Sequence, residues 1–195
     1  MILNPSDMQS NNHTLQHVNV KFFLRDGENL DQEEVLNLFH EWIQEEKLDD
    51  LLIDVADYRH VPEGPGVILI AHNAFYSLDN NQGRLGLLFN RRTPVDGNTQ
   101  QVLAFALESA RNFARLMAGE DRLEGKLTLD RKSLQLIVND RHFAQNTDET
   151  LANFQPDAEA ALKQTLGDHS YRFERAPDPR ARFIVDVSSD TEFDL

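Results

Sequence analysis

A chain of 195 residues, 40% of them hydrophobic, is long enough for one sizeable domain or for two small ones sharing a core. The absence of cysteine excludes disulfides, thiolate metal sites and a cysteine nucleophile, and fits a reducing compartment. A net charge of -14 repels phosphate backbones and anionic lipid, so nucleic-acid and membrane partners are disfavoured.

The charge is concentrated. Between Asp26 and Asp57 stand twelve acids against Lys47 alone. Such a block reads first as a solvated helix face and second as a docking surface for a basic partner. The opening residues, MILNPSDMQSNNHTLQ, carry neither a basic nor an apolar targeting segment, and no apolar run is long enough to span a bilayer. The expectation is a soluble, cytoplasmic protein.

In chain order, residues 1–16 are polar without periodicity and predict a frayed tail. Val18–Leu24 predicts a strand, stopped by Asp26-Gly27. A helix starts near Asp31, with Glu34 placed to complete a capping box. Val35, Leu38, Phe39 and Trp42 recur at the i, i+3, i+4, i+7 spacing of one buried face. His40-Glu41 opens like a zinc-protease helix, but Gln44 stands where HExxH needs its second histidine. A short strand is predicted over 51–55.

Pro62-Glu63-Gly64-Pro65-Gly66 is a turn, because proline presets φ and glycine accepts backbone angles that other residues resist. The apolar run 67–71 predicts a buried strand that continues through Tyr76. The turn formers 79–83 then lead to a second strand over 85–89, paired antiparallel with the first. A second helix is predicted over Thr99–Ala118, with a wide apolar face and Gly119 as its stop. Segments 126–129 and 134–138 suggest a second hairpin across Asp130-Arg131-Lys132-Ser133. A third helical region begins near Thr147, breaks at Pro156 and resumes to Leu166, with Gly167 as its stop. Segments 171–175 and 182–187 form a third hairpin around Pro177-Asp178-Pro179, and residues 189–195 read as an acidic tail.

The pattern predicts one α+β domain over 17–188, a two-layer arrangement of three helices on a largely antiparallel sheet built from β-hairpins. Neither GxGxxG nor GxxxxGK[ST] occurs, so no nucleotide cofactor is implied by motif.

Chemistry-bearing side chains collect around the first hairpin. Asp57, His60 and His72, with Asp54 nearby and Asp140 and His142 at the exit of the second hairpin, form a candidate site. Carboxylate and imidazole suit zinc, iron or manganese, although no ligand spacing is present and no metal is assigned. Ser77, His72 and Asp79 lack the elbow and oxyanion helix of a serine hydrolase. Arg172, Arg175, Arg180 and Arg182 crowd the last hairpin as a candidate anion or partner site, or as partners of the acidic helix.

The run DYRHVPEGPGVILIAHN with YSLD after it, NDR at 139–141 and DPR at 178–180 resembles an uncharacterised bacterial protein family, over about 18–187. The resemblance implies a single whole-chain domain and carries no activity. Where members of that family read Gly-His-Glu, this chain has Ala71-His72-Asn73, which removes a carboxylate beside the histidine.

With every catalytic motif failing, the expected function is that of an accessory protein-binding module with an acidic docking helix. It would engage a protein partner or self-associate as a homodimer. The alternative is a small metal-dependent, hydrolase-like enzyme using His60 and His72.

Overall fold

The computed structural model of the protein describes residues 14–25 and 30–195. Its elements run β1 (Val18–Leu24), α1 (Gln32–Glu45), β2 (Leu52–Tyr58), β3 (Gly66–Ala71), β4 (Ala74–Asp79), β5 (Gly86–Arg91), α2 (Thr99–Ala118), β6 (Leu129–Val138), α3 (Asp148–Leu166), β7 (Tyr171–Arg175) and β8 (Phe183–Ser189). The strands form one eight-stranded sheet in the order β2-β3-β4-β5-β1-β6-β8-β7. Every neighbouring pair is antiparallel. This is the two-layer α+β arrangement expected, with three helices on a large antiparallel sheet.

Period-2 alternation divides the sheet into two faces. Val18, Val20 and Phe22 of β1 point with Leu87, Phe89, Leu134, Leu136 and Val138 into the main core. Into the same core go Val35, Leu38, Phe39 and Trp42 of α1 and the face of α2 from Val102 to Met117. Each of these large side chains contributes on the order of 1.5–3 kcal/mol by leaving water. Trp42 packs tilted against Phe39 and edge-on against Phe113, at 5.7 and 6.2 Å between ring centres, and its indole N–H donates to Glu120 at 2.7 Å. The buried ring thereby keeps its one polar group satisfied.

The hairpins differ from expectation in two places. The apolar run after Gly66 is two strands rather than one, because the chain reverses at His72-Asn73. Asp50 makes that reversal possible, since its carboxylate accepts from the Asn73 backbone at 3.1 Å and from the Asn73 amide at 3.0 Å. Conversely, the expected hairpin over 126–138 is one ten-residue strand. Asp130 to Ser133 have turn chemistry and Asp130 does bond to Lys132 N–H, but the four residues form a bulge within the strand: the register with β1 skips from Leu134 to Leu129, while 133–138 pair with β8.

The helices also correct the reading. Asp31 caps α1 by accepting from Glu33 N–H at 2.8 Å, but Glu34 bonds to Lys126 instead of closing a box. A reciprocal capping box stands at α2, between Asn98 and Gln101. Helix α3 runs through Pro156 without interruption. Phe154 before the proline and Ala158, Ala161 and Leu162 after it are all buried, so packing holds the helix together across the missing hydrogen bond.

At the ends, residues 1–13 of the expected frayed tail and the expected stop at Asp26-Gly27 lie outside the described residues. Gln16 is bonded both ways to the Val95 backbone, at 2.9 and 3.0 Å. In the C-terminal acidic segment, Phe193 is buried in the main core.

Candidate functional site

The expected site residues are placed apart. Asp57 and His60 lie where β2 leaves for the turn before β3, whereas His72 lies in the turn after β3. The six-residue β3 between those turns is about 20 Å long. Asp140 and His142 follow β6, at the same end of the sheet as His72. However, β5 and β1 stand between β4 and β6, a separation of roughly 14 Å. Among the described residues, no group of three or more histidines and carboxylates is placed to hold a metal ion.

Locally, the two aspartates Asp57 and Asp140 each brace a turn. Asp57 grips the Arg59 guanidinium at 2.8 and 2.9 Å, and that pairing with the Arg59 backbone pulls its carboxyl down to about 2. Asp140 accepts from His142 N–H at 3.2 Å and Phe143 N–H at 3.3 Å. The last-hairpin arginines do not share one patch either. Arg172 pairs with Asp190 at 2.9 Å, Arg175 with Asp148 at 2.6 Å, and Arg182 donates to the Asn139 amide oxygen at 2.9 Å. The Arg180 backbone N–H donates to Asp178 at 2.9 Å. Their partners are the first turn of α3, the β6 exit and the C-terminal segment, not α1.

Helix α1 spends part of its acidity internally. Glu34 pairs with Lys126 at 2.7 Å and Glu41 with Arg122 across the α2–β6 connection. Beyond the helix, β2 forms an edge of the sheet that no other described strand pairs with. Leu51 is 69% exposed and Ile53 53%, with Tyr58 and Val61 also exposed. Asp49, Asp54 and Asp57 surround them on the surface. The opposite edge, β7, exposes Arg172 and Glu174 instead and carries no large exposed hydrophobic residue.

Two groups of residues escaped the sequence reading. Lys21 and Asp79 form an ion pair at 2.6 Å on the sheet face away from the helices, with both side chains 2% exposed. Its signal was a lysine in the middle of an apolar strand, VNVKFFL. The second group lines a groove of about 600 Å³ beside α2, with Phe105, Ser109, Asn112, Arg115 and Leu116 along its helical wall. Its signal was Phe105, an aromatic residue off the apolar face of an amphipathic helix.

No protein-family model matches this chain, and no curated protein matches it.

Proposed function

We propose that the protein is a binding module that takes up an extended, basic segment of a partner protein along the outer edge of β2. The observation that carries this reading is the clustering of exposed apolar side chains at that edge. Of the six large hydrophobic residues exposed among the described ones, Leu51, Ile53, Tyr58 and Val61 lie on β2 or directly beside it. An edge strand offers a row of unpaired backbone donors and acceptors, and proteins ordinarily blunt such edges with charge, as β7 is blunted here. Strand addition uses those backbone groups for affinity and the flanking side chains for specificity.

Charge selects the occupant. Asp49 and Asp54, with Glu45 and Glu46 at the nearby end of α1, are exposed acids around the apolar residues. Two copies of β2 pairing with each other would bring two acidic segments together, which opposes self-association. A segment alternating lysine or arginine with apolar residues meets both features. The docking surface is therefore the edge that follows the acidic helix, rather than the helix face itself.

The test is a titration of the protein with a synthetic peptide alternating lysine and valine, and with its glutamate-valine counterpart, followed by backbone amide shifts. Shifts confined to residues 51–61 with the lysine peptide alone are expected. Leu51→Lys/Ile53→Lys should weaken that binding by about tenfold or more while leaving the melting temperature nearly unchanged, because both side chains are exposed. Equal binding of both peptides, or undiminished binding by the variant, would overturn the reading.

A further inference from the structure

The groove beside α2 is built from β4, β5, α2 and the segment before β2. Its floor is Tyr76 of β4 and Phe89 of β5, on the helix-bearing face of the sheet. One wall is α2, where Phe105, Ser109, Asn112 and Leu116 follow one another at helical spacing. The other wall is the segment 47–50 joining α1 to β2. The volume is that of a small-molecule site, and the floor is apolar.

Its polar groups are unevenly used. Asp50 is occupied by Asn73, and Glu108 by Arg111 at 2.5 Å. Lys47 lies 3.5 Å from Glu120. By contrast, Arg115 forms no ion pair with any described residue. Arg91 donates through Nε alone, to the Thr93 carbonyl at 2.9 Å, and its guanidinium stands 5.1 Å from the centre of the Phe105 ring. The Tyr76 hydroxyl has no hydrogen-bond partner among the described residues, although the side chain is buried. Burial, and then the Asp50 carboxylate, pushes that phenol up to about 12, so near neutral pH it is a donor.

We infer that this groove is a binding site for a small organic carboxylate with an apolar body. Arg91, the guanidinium whose charge acts on the Tyr76 phenol, would meet the carboxylate beside the Tyr76 donor, Arg115 would add positive charge farther along the helical wall, and Phe89, Phe105 and Leu116 would cover the body. Guanidinium is the donor best matched to a carboxylate, because its fork presents parallel N–H groups in one plane. Of the carboxylates in the lining, Asp50 and Glu108 are engaged and only Asp49 is left for an amine, while a neutral amide lacks the charge that pairs with a guanidinium. The site is distinct from the β2 edge, so a protein that takes up a peptide there can still lack this site, or the reverse.

The experiment is a titration of the full chain with naphthylacetate, naphthylacetamide and naphthylethylamine, read by calorimetry and by backbone amide shifts. Naphthylacetate should bind saturably, shifting residues of β4, β5 and 105–116, and should exceed the amide and the amine by about tenfold or more. Arg91→Gln should lose that preference for the acid, and Arg115→Ala should reduce it. Tyr76→Phe should weaken acid binding severalfold and leave the preference in place. Arg115 is exposed, so its variant tests the groove without threatening the fold. No saturable binding of the acid, equal binding of the amide, or an unaltered preference in both arginine variants would overturn the inference.

Discussion

Lys21 and Asp79 sit on the sheet face opposite the three described α-helices, yet both are buried. Two details account for this. Gly86 on the neighbouring strand leaves room for the lysine stem, since a Cβ there would lie 2.8 Å from Lys21 Cε. The β4–β5 connection folds over the charged end, with the Asn81 carbonyl 3.4 Å from the ammonium. Asp79 also accepts from Asn81 N–H at 3.3 Å and from the Asn81 side chain, so its carboxylate is fully used. Burial draws the Lys21 ammonium below its ordinary range, while Asp79 holds it up. Removing one partner leaves an uncompensated buried charge, whereas removing both leaves none. Asp79→Ala should therefore cost about 3–5 kcal/mol in urea unfolding, and Lys21→Met/Asp79→Leu should recover more than half of that loss. A single-variant cost below about 1 kcal/mol would mean that the pair is solvated after all.

At the scale of the element, the strongest periodic signals were legible and the short-range turn signals were not. Val18–Leu24 and Thr99–Ala118 are found at the bounds that alternation and helical spacing predict, because a buried face imposes its period on every residue. The reversal at His72-Asn73 carries no glycine or proline and depends on Asp50, which is distant in sequence. The strand over 129–138 absorbs four residues with turn chemistry as a bulge, because Leu129 on one side of them and 134–138 on the other pair with β1. Gly66 shows the opposite case: its φ of 64° and the Leu78 carbonyl, which would lie 2.1 Å from a Cβ, demand the glycine that the sequence displays. Helix α3 is the sharpest test of packing against propensity. Pro156 is exposed and lies well inside the helix, so it buries little surface while denying the Ala152 carbonyl its donor. Pro156→Ala should raise stability by about 2 kcal/mol, seen as a higher urea midpoint at unchanged slope. A fall in the midpoint would show that a bend at this position is needed to seat Phe154 and Ala158 together.

At the scale of the whole molecule, the sheet and its helical layer followed from pattern, and the candidate site did not. Asp57, His60, His72, Asp140 and His142 were grouped because loops collect polar residues, but loops at opposite ends of a strand or several strands apart do not meet. The residues that line the groove, such as Tyr76, Arg91 and Arg115, come from three different elements and share no local spacing. The C-terminal segment shows the same limit. Its charge reads as a tail, but one aromatic residue ties it to the fold. Phe193 N–H donates to the Arg131 carbonyl at 2.7 Å, the Arg131 guanidinium donates back to the Phe193 carbonyl at 2.6 Å, and Asp194 N–H donates to Leu166 at 2.9 Å. The segment thus bridges β6 and the end of α3, with the Phe193 ring 6.1 Å from that of Tyr171. A fully buried phenylalanine of this kind is worth about 3–5 kcal/mol against alanine, whereas the exposed ion pairs of Glu192 are worth at most about 1 kcal/mol. Phe193→Ala should accordingly destabilise the protein far more than Glu192→Ala, and removal of residues 190–195 should cost at least as much as Phe193→Ala. Unfolding of the three variants in urea checks this order; equal stability of Phe193→Ala and the parent chain would place the segment outside the folded unit.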